Sequence, residues 1–239
     1  MTSTVYSDEF LEALGAWQRG WSEDPDRRAQ LAEALIMHVA HLPMSVCAVS
    51  SPCFRKRFLY HGDCERIFLG GLDEGPTSWT IHRAYAKEFK GHHRREAERA
   101  AVFVRTPEPE EVVLNIVSLW ADPTFRSAMS SFESRGGPNA DALANFKASQ
   151  GEVILTSKLV AIDIVGLTGV SSAIDDLFDS LGILDAARAL LMRDLVSAGV
   201  YPGEPTWVWD EAAISVVDRT YDRLIEKLEQ LTRTALSRR

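Results

Sequence analysis

The chain lacks the features that mark membrane, secreted and disulfide-bonded proteins. No run of residues approaches the roughly 20 apolar residues of a membrane span, so we expect no membrane partner. The first residues lack a basic segment followed by an apolar one, so we expect no secretory signal and a cytoplasmic location. Three cysteines without a CxxC spacing exclude a disulfide framework and a four-thiolate zinc site, and we expect reduced thiols.

Common nucleotide, metal and hydrolase motifs are also missing. The glycine cluster at residues 70–75 has neither the GxGxxG spacing of a dinucleotide-binding turn nor the GxxxxGK[ST] spacing of a P-loop. No histidine pair is completed by a cysteine, aspartate or glutamate at metal-ligand spacing, so we expect no metal. The GxSxG elbow of a serine hydrolase is absent as well.

Positive charge is scarce overall and concentrated in one stretch. The net charge of −8 argues against a surface that binds nucleic acid as a whole. Residues 51–105, however, carry eleven Lys and Arg against seven Asp and Glu. Such an excess is what a site for an anionic ligand needs, although charge runs are more often solvated faces.

What is present is the patterning of a globular α+β protein. The 239 residues are 46% hydrophobic and 25% charged, an ordinary globular composition. Apolar residues recur at helical steps early and late in the chain, and runs of β-branched and aromatic residues between them predict strands. Helices, then strands, then helices indicate an α+β fold rather than βαβ alternation. We predict an N-terminal helical segment at 1–45, a core at 46–170 and a C-terminal helical segment at 171–239 packed on the core.

The pattern makes four local predictions. Residues 112–117 and 160–165 are predicted to be buried strands, and residues 82–100 a helix. The last helix is predicted to carry an apolar face from residue 214 to residue 231.

Three segments together resemble the ADP-ribosyltransferase superfamily. Residues 58–63 (FLYHGD) form a predicted strand that ends in a histidine and a glycine. Residues 77–80 (TSWT) form a hydroxyl-rich strand end that runs into a helix at 81–89. Residues 150–154 (QGEVI) place a polar pair before a buried strand. In this order they are similar to the LY[RH]G, [ST]x[ST] and [QE]xE[VI] motifs of that superfamily.

The resemblance covers about residues 54–165 and implies an ADP-ribosyltransferase-like split β-sandwich core that binds NAD as co-substrate, with flanking N- and C-terminal helices. Breaking the bond between nicotinamide and ribose develops oxocarbenium-like positive charge, which a fixed carboxylate stabilises most strongly in the transition state. By resemblance, Glu152 is that catalytic carboxylate and accepts a hydrogen bond from the ribose 2′-hydroxyl. His61 contacts the ribose or phosphate part of NAD, and a mobile loop at 63–75 contacts the phosphates.

The resemblance also assigns the rest of the NAD pocket. The backbone of Gly62 holds the nicotinamide carboxamide. Ser78 and Thr80 support the pocket, with Ser78 within reach of the catalytic carboxylate. Tyr85 is the first choice for stacking on the nicotinamide ring and Trp79 the second.

Gln150 is the predicted catalytic residue on the acceptor side. In an extended segment, residues two apart share a face, so Gln150 would face the same cleft as Glu152. A neutral amide cannot attract and deprotonate a guanidinium, so we expect an amide, hydroxyl or nucleic acid acceptor rather than arginine. His61 combined with a Ser-x-Thr motif mixes the patterns of two branches, so the subfamily stays open.

We therefore predict a mono-ADP-ribosyltransferase, a transferase of the glycosyltransferase class, that moves ADP-ribose from NAD to a protein or nucleic acid. The resemblance implies a bacterial toxin, effector or defence factor, with a regulatory or antitoxin protein as a further partner. The alternatives are an NAD glycohydrolase of the same fold and a catalytically silent interaction module. Singly, each site residue has a plainer interpretation: Trp79 and Tyr85 as core side chains, and His61 and Glu152 as solvated ones.

Overall fold

The computed structural model describes residues 5–20, 24–90, 94, 97–146, 149–168, 177–178, 180–200 and 207–236. The start of the predicted C-terminal segment, residues 171–176, lies outside this set. The chain divides into two compact units, each described by itself below. The first unit contains Met1–Arg55, Asp73–Lys87 and Val104–Leu159, and the second contains Lys56–Leu72, Glu88–Phe103 and Val160–Arg239.

In chain order, the helices and strands are α1 (Asp8–Arg19), α2 (Pro25–Val39), β1 (Cys53–Leu59), α3 (Asp63–Leu69), β2 (Thr77–Thr80), α4 (Arg83–Glu88), β3 (Arg99–Arg105), β4 (Val112–Asn115), α5 (Ile116–Ala121), α6 (Pro123–Ser134), α7 (Ala140–Phe146), β5 (Glu152–Leu155), β6 (Ile164–Thr168), α8 (Asp185–Ser197), β7 (Trp207–Trp209) and α9 (Glu211–Leu236). Single 3₁₀ turns occupy Met44–Val46, Pro109–Glu111 and Ala161–Asp163.

The strands of the first unit are hydrogen-bonded in the order β4-β5-β2-β1, with β1 represented by its start up to Arg55, and their pairs are antiparallel. The second unit contains the order β1-β3-β6-β7, with β1 represented from Lys56 onward, and β3–β6 and β6–β7 are antiparallel. The described residues therefore confirm the predicted mixed α+β class. The predicted segment 1–45 lies within the first unit and 171–239 within the second, while 46–170 contributes to both.

Helix α1 lies at the centre of the core of the first unit. Ser7 caps its start, because the Ser7 hydroxyl oxygen accepts a hydrogen bond of 3.2 Å from the backbone N–H of Phe10. Phe10, Leu14 and Trp17 recur at three- and four-residue steps and are fully buried, so one face of α1 packs inward. The remaining side chains of this core come from Tyr6, from the 3₁₀ turn at Met44–Val46, and from α2, α5, α6, α7, β4 and β5.

In the second unit, Phe58 forms a buried cluster with Ala97 and with Ala100 of β3. The hydroxyl oxygen of Thr168 on β6 accepts a hydrogen bond of 2.8 Å from the backbone N–H of Ala100. Helix α9 packs on β6 and β7 through its first turns, where Ala213 and Val217 are buried. Within the part of the chain that the structure describes, none of the helices combines the length and apolar character of a membrane span.

The predicted strand at 112–117 is wrong in its last two residues, which begin α5. Strand β4 stops at Asn115, whose side-chain oxygen accepts a hydrogen bond of 3.1 Å from the backbone N–H of Ser118 and so caps α5. The same side chain donates to the carbonyl oxygen of Ala48 at 2.7 Å. The strand signal of the β-branched residues is overridden at this position by an asparagine cap.

Three further boundaries differ from the sequence-based expectations. Of the helix predicted at 82–100, the described residues contain the short α4, after which Lys90 adopts a left-handed φ of 60° and β3 begins at Arg99. The expected mobile loop at 63–75 begins with a helix, α3, so only its later part is irregular. The strand predicted at 160–165 begins with a 3₁₀ turn, and β6 runs from Ile164.

Candidate functional site

Glu152 is the first residue of β5 and lies beside β2. The antiparallel register pairs Thr80 with Glu152 and Ser78 with Ile154. Because directly paired residues share a face of the sheet and alternate residues keep it, Ser78, Thr80 and Glu152 all lie on one face. The Ser-x-Thr motif and the glutamate are thus brought together by strand pairing.

The Glu152 carboxyl is held by two neutral donors on the same oxygen. The Ser78 hydroxyl donates to Glu152 Oε1 at 2.6 Å, which confirms the expected contact between these side chains. The indole Nε1–H of Trp17 donates to the same oxygen at 3.3 Å, from 135 residues away in the sequence. Glu152 itself is 9% exposed, so the interpretation of a solvated glutamate is wrong.

Burial and hydrogen bonding act on the Glu152 carboxyl in opposite directions. Burial raises the pKa of Glu152, and this is the largest influence. The side chains of Ser78, Trp17 and Gln18 lower the pKa again, but less. Gln18 is 4% exposed, and although its amide lies close to the carboxyl, neither Nε2 nor Oε1 reaches a partner in hydrogen-bonding geometry. The net effect is a raised pKa, maintained without a cationic partner among these groups.

Thr80 fixes the turn that leads into Glu152. Its hydroxyl donates to the backbone oxygen of Gln150 at 2.6 Å and accepts from the backbone N–H of His82 at 3.0 Å. The backbone N–H of Ile81 donates to the oxygen of Gly151 at 2.9 Å. This short network ties the end of β2 to the start of β5.

Gln150 does not lie in an extended segment with Glu152, so the reason for placing the two on one face is wrong. Gly151 between them adopts a left-handed φ of 61°, which makes the segment a turn. A Cβ at Gly151 would lie 2.6 Å from His82 Cδ2 and 2.8 Å from Ile81 Cγ1, so the position is closely packed as well. Strand alternation therefore does not relate Gln150 to Glu152.

Strand β2 is anchored at Ser78 by Arg55, a partly buried arginine. Arg55 Nη1 donates to the backbone oxygen of Ser78 at 2.9 Å, and its Nη2 pairs with Glu74 Oε2 at 2.8 Å. Arg28 Nη1 lies 3.6 Å from the other oxygen of Glu74. The backbone that carries the Ser78 hydroxyl is thus fixed independently of Glu152.

The two candidate aromatic residues lie in different surroundings. Trp79 is 2% exposed, lies on the face of β2 opposite to Glu152, and donates from Nε1 to the Thr77 hydroxyl at 3.2 Å. Tyr85 on α4 is half-buried, and burial followed by the charge of Glu152 raises its pKa. Of these two candidates, Tyr85 is the one whose pKa is raised by the charge of Glu152.

His61 and Gly62 belong to the second unit. The His61 side chain is 95% exposed, and its Nδ1 lies 3.1 Å from Glu98 Oε1. Gly62 adopts a left-handed φ of 84° immediately before α3. The side chain of Asp63 accepts a hydrogen bond of 3.0 Å from the backbone N–H of Tyr60, which closes the turn.

The part of the chain that the structure describes holds no group of three or more His, Cys, Asp and Glu side chains placed to bind a metal ion. Among the side chains at Glu152, the structure adds Trp17 and Gln18, which the motifs did not indicate because both precede the segment that they cover. The available sequence signal for these two residues was their position on the buried face of an amphipathic N-terminal helix.

No family model, no curated protein and no solved structure matches the chain.

Proposed function

We propose that the protein transfers ADP-ribose from NAD to a macromolecular acceptor, with Glu152 as the catalytic carboxylate. The observation that carries the proposal is the hydrogen bond between Ser78 and Glu152 on one face of β2 and β5. It joins the second and third motifs of the resemblance through their functional side chains. The cytoplasm of a bacterium, with the protein as a toxin, effector or defence factor, is the setting that the resemblance implies.

Glu152 is proposed to stabilise the positive charge that develops on the ribose during the reaction. As the bond between nicotinamide nitrogen and ribose C1′ breaks, nicotinamide leaves with the bonding electrons and the ribose gains positive charge. The Glu152 anion stabilises this charge while accepting a hydrogen bond from the ribose 2′-hydroxyl. The acceptor then forms a new bond to C1′ and releases a proton. A carboxylate held in place before the reaction needs no reorganisation at that moment, which is the source of the rate gain.

The other residues of the proposal have supporting roles. Ser78 orients the carboxyl, and Thr80 fixes the turn from which Glu152 extends. Tyr85 is the proposed stacking partner of nicotinamide, because the charge of Glu152 acts on the pKa of its hydroxyl. Trp79 lies on the other face of the strand and is buried. The contact of His61 with NAD and the contact of the Gly62 backbone with the carboxamide remain predictions from the resemblance alone.

Water is the second candidate acceptor. The left-handed turn at Gly151 removes the geometric reason for placing Gln150 beside Glu152, and with it the argument for an oriented amide at the acceptor. A glycohydrolase needs no such orienting group. Both reactions break the same bond and differ only in what attacks C1′.

Labelled NAD separates these outcomes. The protein is incubated with NAD carrying label in the adenylate phosphate, together with a cell extract of macromolecules. Label on protein or nucleic acid supports transfer, free labelled ADP-ribose supports hydrolysis, and unchanged NAD contradicts both.

Gln150→Ala is expected to reduce transfer more than hydrolysis if this amide orients the acceptor. Equal losses, or robust labelling of free arginine, would contradict the proposed acceptor class.

A further inference from the structure

We propose that Trp17 is a positioning residue for the reaction at Glu152. The inference rests on the proposed function and extends its site to α1, a helix outside the segment that the motifs cover. The indole and the Ser78 hydroxyl both donate to Oε1. We therefore assign the contact with the ribose hydroxyl to the second oxygen, Oε2.

Two donors on one oxygen fix the orientation of a carboxyl that one donor would leave free to rotate. The Ser78 hydroxyl comes from the neighbouring strand at 2.6 Å, and the indole comes from α1 at 3.3 Å. Trp17 is 1% exposed, so water does not compete for its N–H group. The orientation of Glu152 is therefore set before any substrate arrives, as a stabilising carboxylate requires.

The indole can serve this purpose because α1 is a rigid part of the core. Phe10 and Leu14, two turns and one turn before Trp17, are fully buried. A Cβ at Gly15 would lie 2.5 Å from the backbone oxygen of Asn139, so the helix backbone approaches this segment closely. Removing α1 from such packing would expose several large apolar side chains to water, and the summed cost would be comparable to the whole stability of a domain. Helix α1 is thus a fixed part of the folded core, and the indole of Trp17 stays beside Glu152 in the folded protein.

The contact also affects the protonation of the carboxyl. Hydrogen bonds to the charged form favour it, so the indole N–H opposes the effect of burial on the pKa of Glu152. The other neighbours that lower this pKa are the neutral side chains of Ser78 and Gln18, and the titratable neighbour on α4 is Tyr85. Removing the N–H is therefore expected to raise the pKa of Glu152 further.

The test removes the N–H without changing the shape of the side chain. Benzothienylalanine, in which sulfur replaces the indole N–H, is introduced at position 17 alone, and Trp17→Phe is made alongside it. Trp120→Phe is the matched control, because Trp120 packs on Phe125 in the same core. We expect kcat for nicotinamide release to fall about tenfold to a hundredfold, as for loss of one hydrogen bond to a charged group, with KM for NAD nearly unchanged. The acidic limb of the pH profile is expected to move to higher pH, and the control is expected to do neither.

The outcomes separate this inference from the proposed function. If the wild-type protein releases nicotinamide and the benzothienylalanine variant keeps its kcat and pH profile, the role of Trp17 is overturned and the function stands. A wild-type protein that does not cleave NAD overturns both. Titration of ¹³C-labelled glutamate carboxyls without NAD adds a readout independent of activity: an unchanged Glu152 pKa in the variant also overturns the role. If Trp17→Phe does not fold, the sulfur variant decides alone.

Discussion

Replacing Gly151 by alanine tests the turn that delivers Glu152 to its strand. An alanine at the left-handed φ of 61° costs about 1–2 kcal/mol relative to ordinary backbone conformations. The new Cβ would also lie 2.6 Å from His82 Cδ2 and 2.8 Å from Ile81 Cγ1. Forcing atoms into packed surroundings typically costs about 1–3 kcal/mol, and the exposed His82 ring can move away, so the lower part of this range applies. We expect a loss of about 2–4 kcal/mol in the free energy of unfolding.

A second glycine provides the control for this prediction. Gly136 has a similar left-handed φ of 70°, but a Cβ built there meets nothing within 4 Å. Gly136→Ala should therefore show the backbone cost alone, about 1–2 kcal/mol. Urea unfolding of both variants, followed by circular dichroism, measures the difference. Equal losses for the two variants would refute the close approach at Gly151, and a loss below about 0.5 kcal/mol in both would refute the left-handed turns.

The remaining predictions concern single side chains of the site. Glu152→Gln should raise stability at pH 8 but not at pH 4. Because the pKa of Glu152 is raised in the folded protein, the folded state binds the proton more tightly than the unfolded state. The stability of the wild-type protein therefore falls as the pH rises from about 4.5 through the folded pKa, whereas the amide of the variant does not titrate. Melting curves across this range check it, and an equal shift at both pH values would contradict it. Thr80→Val removes a hydroxyl that is hydrogen-bonded to the backbone of Gln150 and His82, and should lower the free energy of unfolding in urea by about 1–3 kcal/mol. An unchanged free energy of unfolding would refute the role of these hydrogen bonds in tying β2 to β5. His61→Ala should leave the melting temperature almost unchanged because the side chain is 95% exposed, while calorimetric titration should show weaker NAD binding; the reverse pattern would make His61 structural.

The contact between Ser78 and Glu152 was predicted by the resemblance and not by the residue pattern. Strand pairing is the physical reason why the contact forms, because alternation fixes which side chains share a face. Alternation was used as a prediction only at Gln150, where it failed because one left-handed glycine interrupts the extended segment. Its φ was not readable from the sequence QGE alone.

The contribution of α1 was not predictable from local pattern. Trp17 and Glu152 are separated by 135 residues, and only the packing of the whole core brings the indole to the carboxyl. Element boundaries failed for a related reason. The β-branched residues at 112–117 favour a strand, but the Asn115 side chain donates to Ala48 and caps α5. The contact with Ala48 is distant in the sequence, so residue propensity does not predict it.

The central claim is that Glu152 stabilises the transition state of NAD cleavage, and nicotinamide release by Glu152→Gln measures it most directly. The amide keeps the shape of the side chain and an acceptor oxygen for Ser78 while removing the charge. Glu110→Gln, an exposed glutamate of the same unit, is the control. We predict a fall of roughly a hundredfold or more in the rate of nicotinamide release for Glu152→Gln and no change for the control. A Glu152→Gln rate close to that of the wild-type protein would contradict the account.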